Sequence, residues 1–169
     1  MKLPDLTLET LQHEPLRLRP EPPAPRLILV YKRDCETCGL VLPVVERISR
    51  PLHARGLETI GVSQSDEDAT LDAINEHGLC FPQALDAHLA LSFALELEVV
   101  PALLLFDADS EVVDRTDALD LAAFTRVVEA AARLAGADEP AIERAIAAFA
   151  LPASRPGSAS RTRDADVAR

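Results

Sequence analysis

Residues 26–48 read RLILVYKRDCETCGLVLPVVERI: an apolar run, a short charged turn, two cysteines separated by two residues, then a helical pattern. Leu27 to Tyr31 (LILVY) is continuously apolar, as expected of a strand covered on both faces in a parallel or mixed sheet. Lys32, Arg33 and Asp34 end the strand. Val41, Val44, Val45 and Ile48 then recur at helical spacing, with Asp34 the expected N-cap and Cys35 in the first helical turn. A thiol there faces unpaired backbone N–H groups and the positive end of the helix dipole, which favour the thiolate and lower its pKa below about 8.5. Cys35 is therefore the expected nucleophile. Cys38, one turn further on, is the expected resolving thiol. A zinc site would need four ligands, and the remaining Cys80 and four scattered histidines have no ligand spacing, so no metal is expected.

This strand, turn, CETC and helix resemble the active site of the thioredoxin superfamily. Pro43, five residues after the second cysteine, falls where thioredoxins carry the proline that kinks this helix. Val100-Pro101, just before the apolar run Ala102 to Phe106, stands where the superfamily places its cis-proline beside the cysteine pair. The intervening LETIGVSQSDEDATLDAINEHGLCFPQALD is most similar to the TlpA/ResA-type redoxins, and the resemblance covers Pro4 to Ala132. It implies an α/β, thioredoxin-like fold with a central mixed β-sheet flanked by helices. Val100 and Pro101 would form the substrate-binding edge, where an extended polypeptide pairs beside the sulfurs.

Some positions depart from the pattern. Asp34 stands where many such sites carry Trp, and Thr37 replaces the usual Pro, whereas Glu36 is shared with ResA-like sites. Asp34, Glu36 and Thr37 are the residues expected to tune the cysteine pair. The two acids oppose a Cys35 thiolate and Lys32 and Arg33 favour it. Leu29 occupies the place of the buried acid of thioredoxins, which leaves Glu96 and Glu98, near Pro101, as candidate proton acceptors for Cys38.

The chain has 169 residues, 48% of them hydrophobic and 27% charged, enough for a core without disulfide staples. A net charge of -11 excludes a general nucleic-acid-binding role. Three cysteines fit a reactive pair plus one other, and Cys80 reads as a small core residue. The start, MKLPDLTLETLQHEPLRL, contains no long apolar run, so neither signal peptide nor membrane anchor is expected and the chain reads as cytoplasmic.

Along the chain, Leu6, Leu8 and Leu11 mark a short strand and turn, and PEPPAP (20–25) an extended connector. Leu57 to Ser63 reads as a strand. Asp66 or Ser65 caps a helix with Leu71 and Ile74, joined by Ala73, on its inner face, ending at Gly78. Ala87 to Leu97 reads as helical, and Ala102 to Phe106 with Glu111 to Arg115 as a hairpin. Leu119 to Leu134 is the closing helix. The division is a thioredoxin-like domain over 1–135, an added C-terminal helical extension over 136–151 containing PAIERAIAAF, and a tail over 152–169, rich in Pro, Ser, Gly and Arg, that reads as disordered.

These features predict a thiol-disulfide oxidoreductase acting on a disulfide-containing protein substrate and drawing electrons from an upstream thiol reductant, with no metal or organic cofactor. Neither nucleic acid nor membrane is an expected partner, and oligomeric state is left open. A thiol peroxidase of the redoxin type is one rival, although the Pro-x-x-x-Thr/Ser-x-x-Cys pattern of peroxiredoxins is missing around Cys35 and Cys38. The other is a non-catalytic, thioredoxin-like binding module.

Overall fold

The computed structural model describes residues 1–160. A hairpin of β1 (Thr7–Thr10) and β2 (Pro15–Arg17) leads through the proline-rich connector into β3 (Arg26–Tyr31), α1 (Glu36–His53), β4 (Glu58–Ser63), α2 (Glu67–His77), β5 (Gln83–Leu85) and α3 (Ala90–Ala94). Then follow β6 (Val99–Val100), β7 (Ala102–Phe106), β8 (Val112–Asp117), β9 (Leu119–Asp120), α4 (Leu121–Ala135), α5 (Glu139–Ala147), β10 (Ser154–Arg155) and β11 (Ser158–Ala159). Seven strands form one mixed sheet in the order β2-β1-β5-β4-β3-β7-β8. No helix among the described residues is long and apolar enough to cross a membrane.

β3 is the axis of this sheet. All six of its residues are buried, and it runs parallel to β4 (Val30 beside Val62) and antiparallel to β7 (Val30 beside Ala102). An unbroken apolar strand needs cover on both faces. α1 supplies much of it through Val41, Val44, Val45, Ile48 and Leu52, all buried at the spacing that the sequence predicts. α4 packs on β7 and β8 through Phe124, Val127, Val128 and Ala131. Arg26 opens β3 almost wholly buried. Its guanidinium donates to the carbonyls of Arg17 and Leu18 and pairs with Glu58 at 2.6 Å, tying the N-terminal hairpin to the sheet.

The added helix lies at Glu139–Ala147, capped by Asp138, and its Ile142 and Ile146 are buried against α4 and α1. Three expectations are corrected. In α2 Ala73 is buried and Ile74 half-buried against the core, as expected, but Leu71 is 48% exposed and Thr70 takes the inner place; its hydroxyl bonds the Asp66 carbonyl and Ser63, which turns the helix so that a polar residue faces in. The helix expected over 87–97 is confined to Ala90–Ala94. The Asp86 carboxylate takes the N–H groups of Leu91 and Ser92, and Leu89 and Glu96 on either side hold positive φ.

The third correction concerns the C-terminus. Residues 152–160 are ordered, with β10 antiparallel to β9 and β11 antiparallel to β6. The remainder of the expected disordered tail, 161–169, lies outside the described residues.

Candidate active site

The cysteine pair sits where β3 ends and α1 begins. Cys35, and not the exposed Asp34, is the N-cap of α1: its backbone is extended (φ -130°, ψ 109°) and its Sγ accepts the Cys38 N–H at 3.1 Å. The three-residue turn after β3 carries the chain one position further than expected before it becomes helical, so the nucleophile itself receives the orphan N–H of the first turn. Cys35 is 3% exposed and Cys38 wholly buried beneath it.

The two thiols are driven apart electrostatically. Cys35 is lowered to about 6, above all because the Cys38 thiol donates a hydrogen bond to it; the hydroxyl of Ser158 and the backbone N–H groups of Cys38 and Ser158 add to this, and burial opposes it. Cys38 is raised, chiefly by burial, then by donating to Cys35 and facing its charge. Tyr31, at the end of β3, is also raised by burial and donates to Gln83 Oε1 at 2.7 Å. At neutral pH the site therefore holds one thiolate and one thiol.

Beside the sulfurs runs the strand edge of β6. The Val100–Pro101 peptide bond is cis, and the Val100 carbonyl lies 3.7 Å from Cys35 Sγ. Val100 thus lies directly beside Cys35, with Pro101 the next residue in the chain. The residues expected to tune the pair separate into two groups: Thr37 is buried and donates to the Pro156 carbonyl at 2.6 Å, while Asp34 and Glu36 are exposed, with Glu36 paired to Arg155 at 2.5 Å. Leu29 is fully buried, and Glu96 and Glu98 are exposed. On the other side of Cys35 a shallow opening of about 530 Å³ is lined by Arg33, Gly39, Leu40, Glu76 and His77 among others.

The sequence reading missed Ser158 and the segment around it. Its only signal there was composition, which pointed to disorder. It also placed Cys80 in the core, whereas that thiol is exposed. Its backbone N–H instead bonds Glu46, a buried acid two turns along α1 from Cys38 that also takes the Phe81 N–H and pairs with Arg50.

A thiolate capping a helix, a buried thiol behind it and a strand-forming backbone alongside are the parts that thiol-disulfide exchange needs. The alkylation rate of Cys35 should follow its thiolate: level above its titration and falling tenfold per pH unit as pH drops well below about 6. Iodoacetamide labelling of a Cys80→Ser variant across this range, read by mass, checks the midpoint.

Fold and site together define a thioredoxin-like protein. The sequence matches the model of the AhpC/TSA family over residues 1–115, and the chain belongs to that family. No curated protein matches it. Among solved structures it is similar to a secreted Mycobacterium tuberculosis disulfide oxidoreductase homologous to Escherichia coli DsbE, at 17% identity over 85% of this chain and 96% of that one, with a TM-score of 0.59. It is also similar to the thioredoxin domain of a Bacteroides vulgatus thiol-disulfide oxidoreductase (19% identity, 68% and 85% covered, TM-score 0.63) and to StoA of Bacillus subtilis (16%, 66% and 86%, TM-score 0.59). At these identities the likenesses establish the thioredoxin-like fold. Family membership together with the CxxC pair supports a thiol redox function.

Proposed function

We propose that this protein is a thiol-disulfide oxidoreductase that reduces disulfides in polypeptides, in a compartment where an upstream thiol keeps it reduced. The observation that carries the reading is the opposed state of the two cysteines: Cys35 lowered to about 6 and Cys38 raised, on one helical turn.

The Cys35 thiolate attacks one sulfur of the substrate disulfide, and the other leaves as a thiolate that takes up a proton from solvent. Once Cys35 is in the mixed disulfide its charge is gone, and with it the hydrogen bond and the repulsion that, after burial, raise Cys38. Cys38 then attacks Cys35 Sγ and expels the second substrate sulfur, which takes up the proton that Cys38 gives up. The substrate gains two electrons and two protons, and a Cys35–Cys38 disulfide remains for the upstream dithiol to reduce. Val100 offers its backbone to the substrate chain during the exchange.

The test is a redox titration in glutathione or dithiothreitol buffers, with free thiols counted by mass after alkylation. One two-electron transition that consumes two thiols and persists in Cys80→Ser is expected, and its midpoint gives the direction of electron flow. Titration without a two-thiol step would remove the proposal and favour the binding-module alternative.

A further inference from the structure

The edge that should receive a substrate is already occupied by this chain's own C-terminal segment. Residues 153–160 leave α5, pair along β9 through Ser154 and Arg155, and then lie antiparallel to β6, with Ser158 opposite Val100 and Ala159 opposite Val99. The segment is held by its backbone as a bound peptide would be. The Lys32 ammonium donates to the Ala159 carbonyl at 2.8 Å, the Thr37 hydroxyl to the Pro156 carbonyl at 2.6 Å, and the Ser160 N–H to the Glu98 carbonyl at 2.8 Å. Of these donors, Lys32 precedes the cysteine pair in sequence and Thr37 lies between the two cysteines.

Two side-chain observations fix the register. Gly157 passes so close to β6 that a Cβ there would stand 2.2 Å from the Val100 carbonyl oxygen, so only glycine fits. The next residue, Ser158, pairs with Val100, whose carbonyl lies 3.7 Å from Cys35 Sγ, which sets Ser158 beside the sulfur. Serine differs from cysteine only in O for S, so the Ser158 side chain stands where the sulfur attacked by Cys35 would stand, but offers no S–S bond.

We propose that residues 153–160 are an intramolecular pseudosubstrate, seated on the Val99–Val100 edge with Ser158 in the place of the substrate's cysteine, which a polypeptide disulfide must displace. The inference rests on the disulfide-exchange reading above and adds the occupant that competes with the substrate. The bonds that seat the segment are matched in order of magnitude by the entropy lost in fixing eight residues, so the plug is held yet displaceable. Apparent affinity for a substrate falls by the fraction of molecules in which the edge is open.

Two variants test this. In a Cys38→Ser, Cys80→Ser background, Ser158→Cys leaves two thiols. Diamide, a two-electron oxidant that takes up both thiol protons, should join them in an intramolecular disulfide at near-complete yield, seen as the loss of two hydrogens and of all alkylatable thiol. Failure of that bond to form, or its formation only between molecules, would overturn the placement of Ser158. With Cys35 and Cys38 kept and Cys80→Ser in both proteins, Gly157→Val should expel the segment and speed the reaction of Cys35 with a peptide carrying a 2-thiopyridyl disulfide by about tenfold or more. Equal or slower reaction in Gly157→Val would overturn the pseudosubstrate while leaving the oxidoreductase reading intact. Absence of reaction in both proteins, with the Cys35–Cys38 disulfide still forming, would overturn the reading of polypeptide disulfides as substrates, and the pseudosubstrate with it.

Discussion

Cys35→Ser is expected to abolish disulfide turnover, a loss of about a thousandfold or more, because a hydroxyl at this position is not ionised at neutral pH and cannot open a disulfide. Cys38→Ser should lose turnover as well, but for a different reason. Its Cys35 keeps the Cys38-position N–H that caps onto Sγ at 3.1 Å, so the first attack still occurs and the mixed disulfide accumulates. In a Cys80→Ser background, which removes the exposed third thiol, mass spectrometry after incubation with a peptide disulfide should find a one-to-one adduct on Cys38→Ser and none on Cys35→Ser. Adducts on Cys35→Ser in that background would mean that Cys38 is the attacking thiol. Serine at 38 also removes the thiol hydrogen bond that contributes most to lowering Cys35. The adduct should therefore form over a pH range shifted upward from that of alkylation in Cys80→Ser.

Phe124→Ala is the substitution with the largest expected effect on stability. Phe124 is 1% exposed on α4, in the first turn after the Asp120 cap, where it fixes the helix on β7 and β8. Truncation removes the ring's burial and leaves a cavity that a sheet on one side and a helix on the other cannot easily close. The cost should be about 3–5 kcal/mol, which for a chain of this size lowers Tm by roughly 6–20 °C. Urea unfolding followed by circular dichroism measures it; a loss below about 1 kcal/mol would mean that α4 is not anchored as described.

The parts of the molecule legible in the sequence are those whose signal is local. Leu27 to Tyr31 has no polar residue to face solvent, so its central place followed directly, and α1 was readable from the spacing of Val41, Val44, Val45 and Ile48. The boundary was off by one residue because helix-cap preferences are rules about oxygen acceptors, and Asp34 satisfies them on paper. A sulfur poised to ionise meets the same need. Leu71 was misplaced because apolarity alone set its face, whereas the hydroxyl of Thr70 has two partners inside. The largest error, over 152–160, has a general cause. A segment of Pro, Ser, Gly and Arg cannot build a core and so reads as disorder, yet small side chains and an extended backbone also suit a groove. Whether such a groove exists depends on Val99 and Val100, far away in sequence, and two-residue strands carry no periodicity to reveal the match.

That Cys35 serves as the cap of its own helix bears on energetics as well as rate. In a thermodynamic cycle linking folding to oxidation, whatever folding adds to the thiolate strengthens the dithiol form relative to the disulfide. With a thiol pKa of about 6 against 9.0 for the free group, this is on the order of 1 kcal/mol at pH 7; it is fully present above pH 9 and lost as pH falls through 6. Since 1.4 kcal/mol corresponds to about 30 mV, the capped thiolate draws the couple some tens of millivolts toward the oxidising side at neutral pH, and less in acid. The donors that make Cys35 quick to attack also make it a good leaving group, so speed of exchange is gained here at the expense of reducing power.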